Sequence, residues 1–225
     1  GNGVDYDWLK GVTQTAGQKQ FNLSAQGGND KTSFFISGGY FNQEGLTTQS
    51  KFKRYTVNMS VTNQATDKLK LEANVRGGYV KENAPLSGGA FGNPVLSALF
   101  LLPSRAPYKP DGTFNIVAPD FGAGALHNTL YTNAYDKRQL NQLNIGSYVK
   151  GSYKIIKGLE LSSQFGMDYN SFEEDQYNNP YHGDGAAAGG NGRTGGLVRT
   201  FSTGAGLILV PRVSKVSRFR PMFLR

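Results

Sequence analysis

The feature of this sequence that most constrains its fold is a regular alternation of apolar and polar residues across Arg54–Val80. Every second residue of Tyr55–Val61 is apolar, and after a short polar break the pattern returns in Leu69–Tyr79, with one glycine among the apolar positions. Successive side chains of an extended chain point to opposite faces, so this pattern predicts two antiparallel strands joined by a tight turn. The apolar face would contact either a protein core or lipid, and alternation alone leaves both open.

Six segments carry the signal of an extended strand. They are predicted at Lys19–Gln26, Lys31–Asn42, Lys53–Thr62, Lys68–Lys81, Leu140–Ile155 and Leu159–Asn170. Strands of soluble proteins cluster near five or six residues, whereas a tilted strand that crosses a membrane needs roughly nine to eleven. Most of the predicted strands reach the longer class, and their polar faces carry charged residues at mid-strand. This favours a lipid-facing sheet over one that covers a core.

The connections between the predicted strands alternate between short and long. The short ones are Gly27–Asp30, Asn63–Asp67 and Ile156–Gly158, and a connection of more than fifty residues separates the fourth and fifth strands. Antiparallel neighbours place every second connection at the same rim of a sheet. Short turns at one rim and long loops at the other are typical of bacterial outer-membrane β-barrels.

Composition narrows the class of protein. The chain has 225 residues, of which 30 are glycine and none is cysteine, so disulfides and thiolate metal sites are excluded. It holds no run of eighteen apolar residues, so a spanning helix is not expected. The net charge is +8, and seven basic residues after Asp184 account for all but one of these charges, because 17 basic and 16 acidic residues remain without them. No nucleic-acid partner is therefore expected.

The sequence offers little evidence for catalysis. The run GNGRTG, residues 190–195, matches a dinucleotide fingerprint, but no strand precedes it and no helical pattern follows. His127 and His182 are expected to be exposed loop residues, with no ligand partner at metal spacing. The acidic run Glu173–Asp175 is interpreted as a solvated loop rather than a calcium loop. We expect no enzyme activity, no catalytic residue, no cofactor and no metal.

Aromatic residues cluster near the ends of the predicted strands. Such residues form girdles at both interfaces of membrane barrels, although ordinary packing at strand ends would produce the same pattern. The set consists of Trp8, Tyr40, Phe41, Tyr55, Tyr79, Tyr153 and Tyr169.

The longest connection is expected to be ordered. Asn93 and Pro94 before a short apolar run predict a capped helix that ends before Pro103. The run YKPDGTF, Tyr108–Phe114, predicts a turn. Loops of this length are usually functional or disordered, and the helix and aromatic residues favour an ordered loop that makes contacts.

The residues also resemble a known family. The stretch DYDWLKGVTQTAGQKQFNLSAQGGNDKTSFFISGGYFNQEG, Asp5–Gly45, is similar to a region of SusC/RagA-type TonB-linked outer-membrane transporters. That region reads roughly NTDW, T-A, Y-N-L-S-x-S-G-G-N-x-K-T and S-x-G-Y-x-x-Q-E-G. The segments FKRYTVNMSV, DKLKLEANV, NPVLSAL, PDGTF and IKGLELSSQFGMDY resemble the strands and outer loop that follow, so the resemblance covers Asp5–Asn170.

The resemblance implies a fold and a function. The fold would be all-β, an antiparallel up-and-down meander of about six to seven long strands that forms a fragment of a large transmembrane β-barrel. Residues 1–17 would be a lead-in after the missing plug, and 18–195 a partial barrel with a large outer loop at 82–139. Residues 196–225 depart from the family pattern and would be an atypical basic tail, a candidate for a non-native continuation.

Such transporters import glycan oligosaccharides or peptides across the bacterial outer membrane. The TonB complex energises them, through regions that this chain would lack, and a SusD-like lipoprotein caps the outer mouth. Outer-membrane lipid, the lipoprotein, the TonB complex and an oligosaccharide or peptide solute are thus the expected partners. The lumen-facing residues would be Lys70, Glu72, Arg76, Lys150, Gln164 and Asp168. The outer-loop contacts would be Tyr108, Asp111 and Phe114.

Two other hypotheses remain open on sequence grounds. A soluble β-sandwich or small barrel that binds carbohydrate would also alternate, but its apolar side chains would pack in a closed interior. A nucleotide enzyme built on residues 190–195 would need a helix starting near Thr194.

Overall fold

Long strands that follow one another in sequence form a single antiparallel sheet. A computed structural model describes residues 3–85, 92–117, 120–121, 126–187 and 198–213, the last range as backbone only. Its seven strands pair in chain order. They are β1 (Gln18–Gly28), β2 (Thr32–Glu44), β3 (Lys51–Gln64), β4 (Leu69–Ala84), β5 (Lys137–Ile156), β6 (Leu159–Tyr177) and β7 (Val198–Val213). The prediction of an all-β, up-and-down antiparallel fold of six to seven strands is confirmed.

The described ranges contain four short helices, one before β1 and three in the long connections. They are α1 (Trp8–Val12), α2 (Pro94–Phe100), α3 (Thr129–Tyr135) and α4 (Asp184–Ala187). The predicted capped helix is α2: Asn93 Oδ1 accepts hydrogen bonds from the backbone N–H groups of Val95 and Leu96, and Pro94 occupies the first helical position. Among the described residues, no helix is long and apolar enough to span a membrane.

Strand β7 lies in the segment that the sequence assigns to a separate basic tail. Its backbone pairs with β6 from Glu174 opposite Val198 to Leu159 opposite Val213. Pro211 is compatible with this position because β7 is the last strand in the sheet order, and edge strands tolerate proline. A domain boundary near residue 195 and a non-native origin of the tail stay predictions, and residues 214–225 lie outside the described ranges.

The two rims of the sheet carry different connections, as the sequence predicts. At the turn rim, two to four residues separate β1 from β2, β3 from β4, and β5 from β6. At the loop rim, β2 joins β3 through residues 45–50, β4 joins β5 through 85–136, and β6 joins β7 through 178–197. The largest loop is therefore slightly shorter than the predicted 82–139, because β4 and β5 extend further.

The apolar face of the sheet is not covered by the described part of the chain. Val57, Leu71 and Phe165 are 41%, 41% and 55% exposed, although all three are large apolar residues. A soluble sandwich or small barrel would bury these side chains. The exposed set includes Phe21, Leu23, Ile36, Met59, Val75 and Val149. An uncovered apolar surface of this extent marks an interaction with lipid or with another protein.

The apolar face is as long as that of a strand in a membrane barrel. On β4 its apolar positions run from Leu69 to Tyr79, ten residues further along the strand. This span is about 33 Å at about 3.3 Å per residue. A strand of that length tilted by about 40°, as in membrane barrels, would cover about 25 Å along the membrane normal, the height of their outward apolar band.

One aromatic row crosses the sheet near the loop rim. Phe21, Tyr40, Tyr55 and Tyr79 are successive register partners on β1 to β4, and their neighbouring ring centroids lie 5.2–6.4 Å apart. We call them the tyrosine row. Tyr40, Tyr55 and Tyr79 belong to the aromatic set that the sequence singles out, whereas Phe41, which adjoins Tyr40, points to the opposite face. Their role in a girdle at a membrane interface stays a prediction.

The buried core of the described chain lies in the loops rather than on the sheet. It comprises Trp8, Val12, Ala98, Leu101, Phe121 and Leu130, contributed by α1, α2, α3 and the large loop. We call this unit the loop assembly. Trp8, expected at the membrane interface, is instead 2% exposed inside it, and its Nε1–H donates to the carbonyl of Leu102 at 3.1 Å.

Candidate functional site

The polar face of β4, β5 and β6 holds the six residues that the sequence predicts to face a lumen. Glu72, Lys150 and Gln164 form one register row, and Arg76, Gly146 and Asp168 form another. Lys70 lies two residues from Glu72 and so shares its face. The structure therefore brings all six to one surface. That this surface faces a lumen stays a prediction.

Glu72 is the centre of a charged cluster near the turn rim. Its Oε1 lies 2.5 Å from Lys70 Nζ, and its Oε2 lies 3.6 Å from Lys150 Nζ. Two lysine ammonium groups and one carboxylate give this cluster a net positive charge. Glu72 reaches both ammonium groups because one is two positions along its strand and the other is its direct cross-strand partner.

A second ion pair lies four residues further along β6. Arg76 Nη2 and Asp168 Oδ1 are 3.7 Å apart, although β5 separates their strands. Gly146 lies between them, and a Cβ at this position would approach Arg76 Nε to 2.7 Å and Asp168 Oδ1 to 2.8 Å. The absence of a side chain at Gly146 therefore permits this pair.

A third pair, missed by the sequence analysis, lies near the loop rim. Arg138 Nε donates to Glu174 Oε1 at 2.7 Å, and both side chains are about one-quarter exposed. The sequence interpretation placed both residues in loops, and this was wrong because β5 begins at Lys137 and β6 continues to Tyr177. Residues 138–142 read RQLNQ and show no apolar–polar alternation, so no local pattern signals this extension. We call the three clusters together the charge ladder.

The predicted outer-loop residues take different places. Tyr108 and Phe114 form a bridge that closes the predicted turn, with ring centroids 5.2 Å apart. Asp111 accepts hydrogen bonds from the backbone N–H and hydroxyl of Thr113, which hold its pKa below the usual range. Asp111 is thus used within the turn, whereas Tyr108 is exposed and available for contact.

Asn128 is a buried junction in the loop assembly. Its side chain is fully buried, donates to the carbonyls of Pro107 and Asn115, and caps α3 by accepting from Leu130 N–H. Its backbone N–H donates to His182 Nε2 at 2.7 Å. The junction therefore joins the large loop, α3 and the loop after β6.

The two histidines are not the exposed residues that the sequence analysis expects. His182 is 6% exposed, and its ring centroid lies 5.1 Å from that of His127. Burial lowers the pKa of His182 to about 4, and it also lowers the pKa of His127. Across the described ranges, no group of three or more His, Cys, Asp or Glu residues could hold a metal ion. The histidines act as neutral hydrogen-bonding and packing groups.

Asp136 is the other titratable group of interest beneath the loop assembly. Burial raises the pKa of its carboxyl to about 6, and its Oδ1 accepts a hydrogen bond from Asn179 N–H at 2.7 Å. Asp136 therefore joins the end of α3 to the loop that follows β6. Residues 190–195, the candidate dinucleotide fingerprint, lie outside the described ranges.

Comparison with known proteins identifies relatives of one kind. No family model matches. TonB-dependent receptor P3 of Formosa agariphila is 29% identical over 166 residues, which cover 72% of this chain and 16% of that receptor. TonB-dependent receptor P26 of the same organism is 29% identical over 109 residues, 48% of this chain. This chain thus spans about one-sixth or less of the length of these relatives.

Solved structures give the same result. A chain of the RagAB peptide importer in its open-open state is similar to this chain, with 26% identity and a TM-score of 0.60. The match covers 79% of this chain and 20% of the importer's chain. The closed-closed state matches 78% of this chain with a TM-score of 0.57. The resemblance to SusC/RagA-type TonB-dependent receptors is confirmed. These relatives are receptors and transporters rather than enzymes, in agreement with the absence of a catalytic motif.

Proposed function

We propose that this chain forms part of the wall of a TonB-dependent transporter in a bacterial outer membrane. The observation that carries the proposal is the uncovered apolar face of the sheet, about 25 Å high by the estimate above and edged by the tyrosine row. Lipid would cover this face. The opposite face, with the charge ladder, would line a water-filled or plugged lumen.

The imported solute is proposed to be an oligosaccharide or a peptide. The polar face supports this because the charge ladder presents both signs of charge and amides lie beside it, such as Asn74, which donates to Asn58 Oδ1 at 2.9 Å. Paired charges and amides offer hydrogen bonds to hydroxyl and peptide groups without selecting a strongly charged ion. The match to a peptide importer also supports the peptide class.

The loop assembly is proposed to meet the solute or a SusD-like lipoprotein at the cell surface. Its buried core gives it a fixed shape, while Tyr108 and several residues of α2 remain exposed. Among the described residues, β1 and β7 each have one edge without a partner strand, as the outer strands of a section of a larger barrel would. The TonB complex would supply energy through parts of the transporter beyond this section.

Fractionation and uptake test the proposal together. A tagged gene product should remain in the outer-membrane pellet after salt and carbonate washes and should require detergent for extraction. Deleting the gene should abolish growth on one class of oligosaccharide or peptide, and a protonophore should stop uptake because TonB coupling needs the inner-membrane proton gradient. Recovery in the aqueous fraction would refute the membrane assignment.

A further inference from the structure

A row of lysines lies directly beyond the tyrosine row, on the apolar face of the sheet. Asn42 on β2 lies opposite Lys19 on β1 and opposite Lys53 on β3. Lys53 in turn lies opposite Lys81 on β4. Each lysine is two positions from a member of the tyrosine row, at Phe21, Tyr55 or Tyr79, so it shares that face. We call Lys19, Lys53 and Lys81 the lysine row.

The lysine row places like charges next to each other without internal compensation. Like charges directly opposite on neighbouring strands are destabilising, and Lys53 and Lys81 occupy such positions. The ion pairs within the described part of the chain involve other residues. Glu44, Glu173 and Asp175 also lie on this face toward the loop rim, but the ion pairs of the described residues do not join any of them to the three lysines. An external anion would relieve the repulsion.

The position of the row identifies the source of that anion. Two residues along a tilted strand correspond to about 5 Å along the membrane normal, and the head-group layer extends roughly 5–7 Å beyond the hydrocarbon. If the tyrosine row marks the hydrocarbon boundary, the lysine row lies at the level of the lipid phosphates. Long lysine side chains keep their stems on apolar surface and their charge in the polar layer.

We propose that the lysine row binds the phosphate of an anionic lipid head group in the leaflet at the loop rim. This inference rests on the proposed function, because it requires the apolar face to lie in a bilayer. The tyrosine row would contact the upper acyl chains of the same lipid, so the site would recognise a phospholipid rather than free phosphate. The lipid would fix the height of the sheet in the membrane at the rim that carries the loop assembly.

Titration of the detergent-solubilised chain tests the site. In a neutral maltoside, dihexanoyl phosphatidylglycerol should bind more tightly than dihexanoyl phosphatidylcholine, and high salt should weaken the difference. One lysine near anionic lipid contributes about fivefold. The triple variant Lys19→Gln, Lys53→Gln, Lys81→Gln should therefore raise the Kd for phosphatidylglycerol by roughly 100-fold at low salt.

The matched control removes three lysines at the turn rim, through Lys31→Gln, Lys68→Gln and Lys157→Gln. This control variant should keep the Kd for phosphatidylglycerol within about twofold of the unmodified chain, since these residues lie at the opposite end of the apolar face. An equal loss in both variants would show attraction by net charge alone and overturn the proposal. Inorganic phosphate that competes at the same concentration as the lipid would also overturn it.

Two further readouts separate misfolding and failure of the proposed function from failure of this site. Lys81→Gln alone should leave the unfolding midpoint in neutral detergent unchanged or raise it, because it removes a like-charge pair, while it weakens lipid binding. Flotation with phosphatidylcholine vesicles tests membrane insertion independently of the lysine row. Flotation of all variants with no change in Kd would refute the lipid site alone, whereas failure of the unmodified chain to float would refute the membrane assignment.

Discussion

Replacing Val75 with arginine is the most direct test of what the apolar face contacts. Val75 lies on β4 four residues from Tyr79 and six from Leu69, the two ends of the apolar span. Four residues at about 3.3 Å each, on a strand tilted by about 40°, place it roughly 10 Å inside the tyrosine row and close to the midplane of the 25 Å band.

The expected cost depends on the surroundings of the side chain. An arginine facing lipid at the midplane destabilises a membrane barrel by about 2–4 kcal/mol, and one near the interface by about 0–1 kcal/mol. We therefore expect Val75→Arg to lower the free energy of unfolding by about 2–4 kcal/mol. For Tyr79→Arg, contact of the arginine with lipid should lower it by only about 0–1 kcal/mol. A water-exposed position would change by under about 0.5 kcal/mol.

The assay is equilibrium unfolding in guanidinium chloride after folding into phosphatidylcholine vesicles. Ser60→Arg is the matched control, because Ser60 is the register partner of Asn74, next to Val75, and lies on the opposite face. Its cost should stay within about 0.5 kcal/mol. Equal losses for Val75→Arg and Ser60→Arg would refute the assignment of the two faces.

Three other predictions concern the turn rim and the loop assembly. A Cβ at Gly28 would lie 2.2 Å from a backbone oxygen, so Gly28→Ala should cost about 1–3 kcal/mol, while Gly38→Ala, with only a contact at 3.9 Å, should be nearly neutral by the same unfolding assay. Asn128→Ala removes a helix cap and two buried donors and should cost roughly 3 kcal/mol, and unchanged hydrogen exchange in α3 would contradict this. The pKa of His182, lowered from 6.5 to about 4, makes stability fall as pH drops from 6.5 to 4, whereas the pKa of Asp136, raised from 3.8 to about 6, makes stability fall as pH rises from 3.8 to 6. These effects oppose each other between pH 4 and 6. His182→Gln should therefore make the loop assembly more stable at pH 4 than at pH 7 by on the order of 2–3 kcal/mol, whereas Asp136→Asn should make it less stable at pH 4 than at pH 7. Trp8 fluorescence during unfolding measures the stability of both variants, and the same pH dependence in both would refute the assignment of these two pKa shifts.

The sheet could be predicted from the sequence because its order follows a local rule. Alternation with a period of two fixes which residues share a face, and short turns fix which strands are neighbours. Lys70, Glu72 and Lys150 could therefore be placed on one surface before any coordinates. What the two faces contact, lipid on one side and a lumen on the other, was an expectation from the resemblance to TonB-dependent receptors.

The loop assembly could not be predicted in the same way. The burial of Trp8 and His182 depends on contacts between segments far apart in sequence, such as the bond from Asn128 N–H to His182. No period in the local sequence encodes such contacts. Strand β7 was missed for a different reason. Its sequence contains Pro211 and alternates only weakly, so it lacks the local signal of a strand, and it forms because it pairs with the outer edge of β6.

The packing of α1 against α2 and α3 has a geometric consequence for the whole sheet. The helix before β1 is fastened to the loop between β4 and β5, for example by the bond from Tyr6 N–H to the carbonyl of Pro103 at 2.9 Å. Three to four strand intervals, about 14–19 Å of arc, separate β1 from the two ends of this loop along the rim. A contact of fixed length between two points on the rim limits how far the sheet beneath them can bend. Variants that loosen this contact should flatten the sheet and, in the transporter proposed above, widen the opening that the sheet borders.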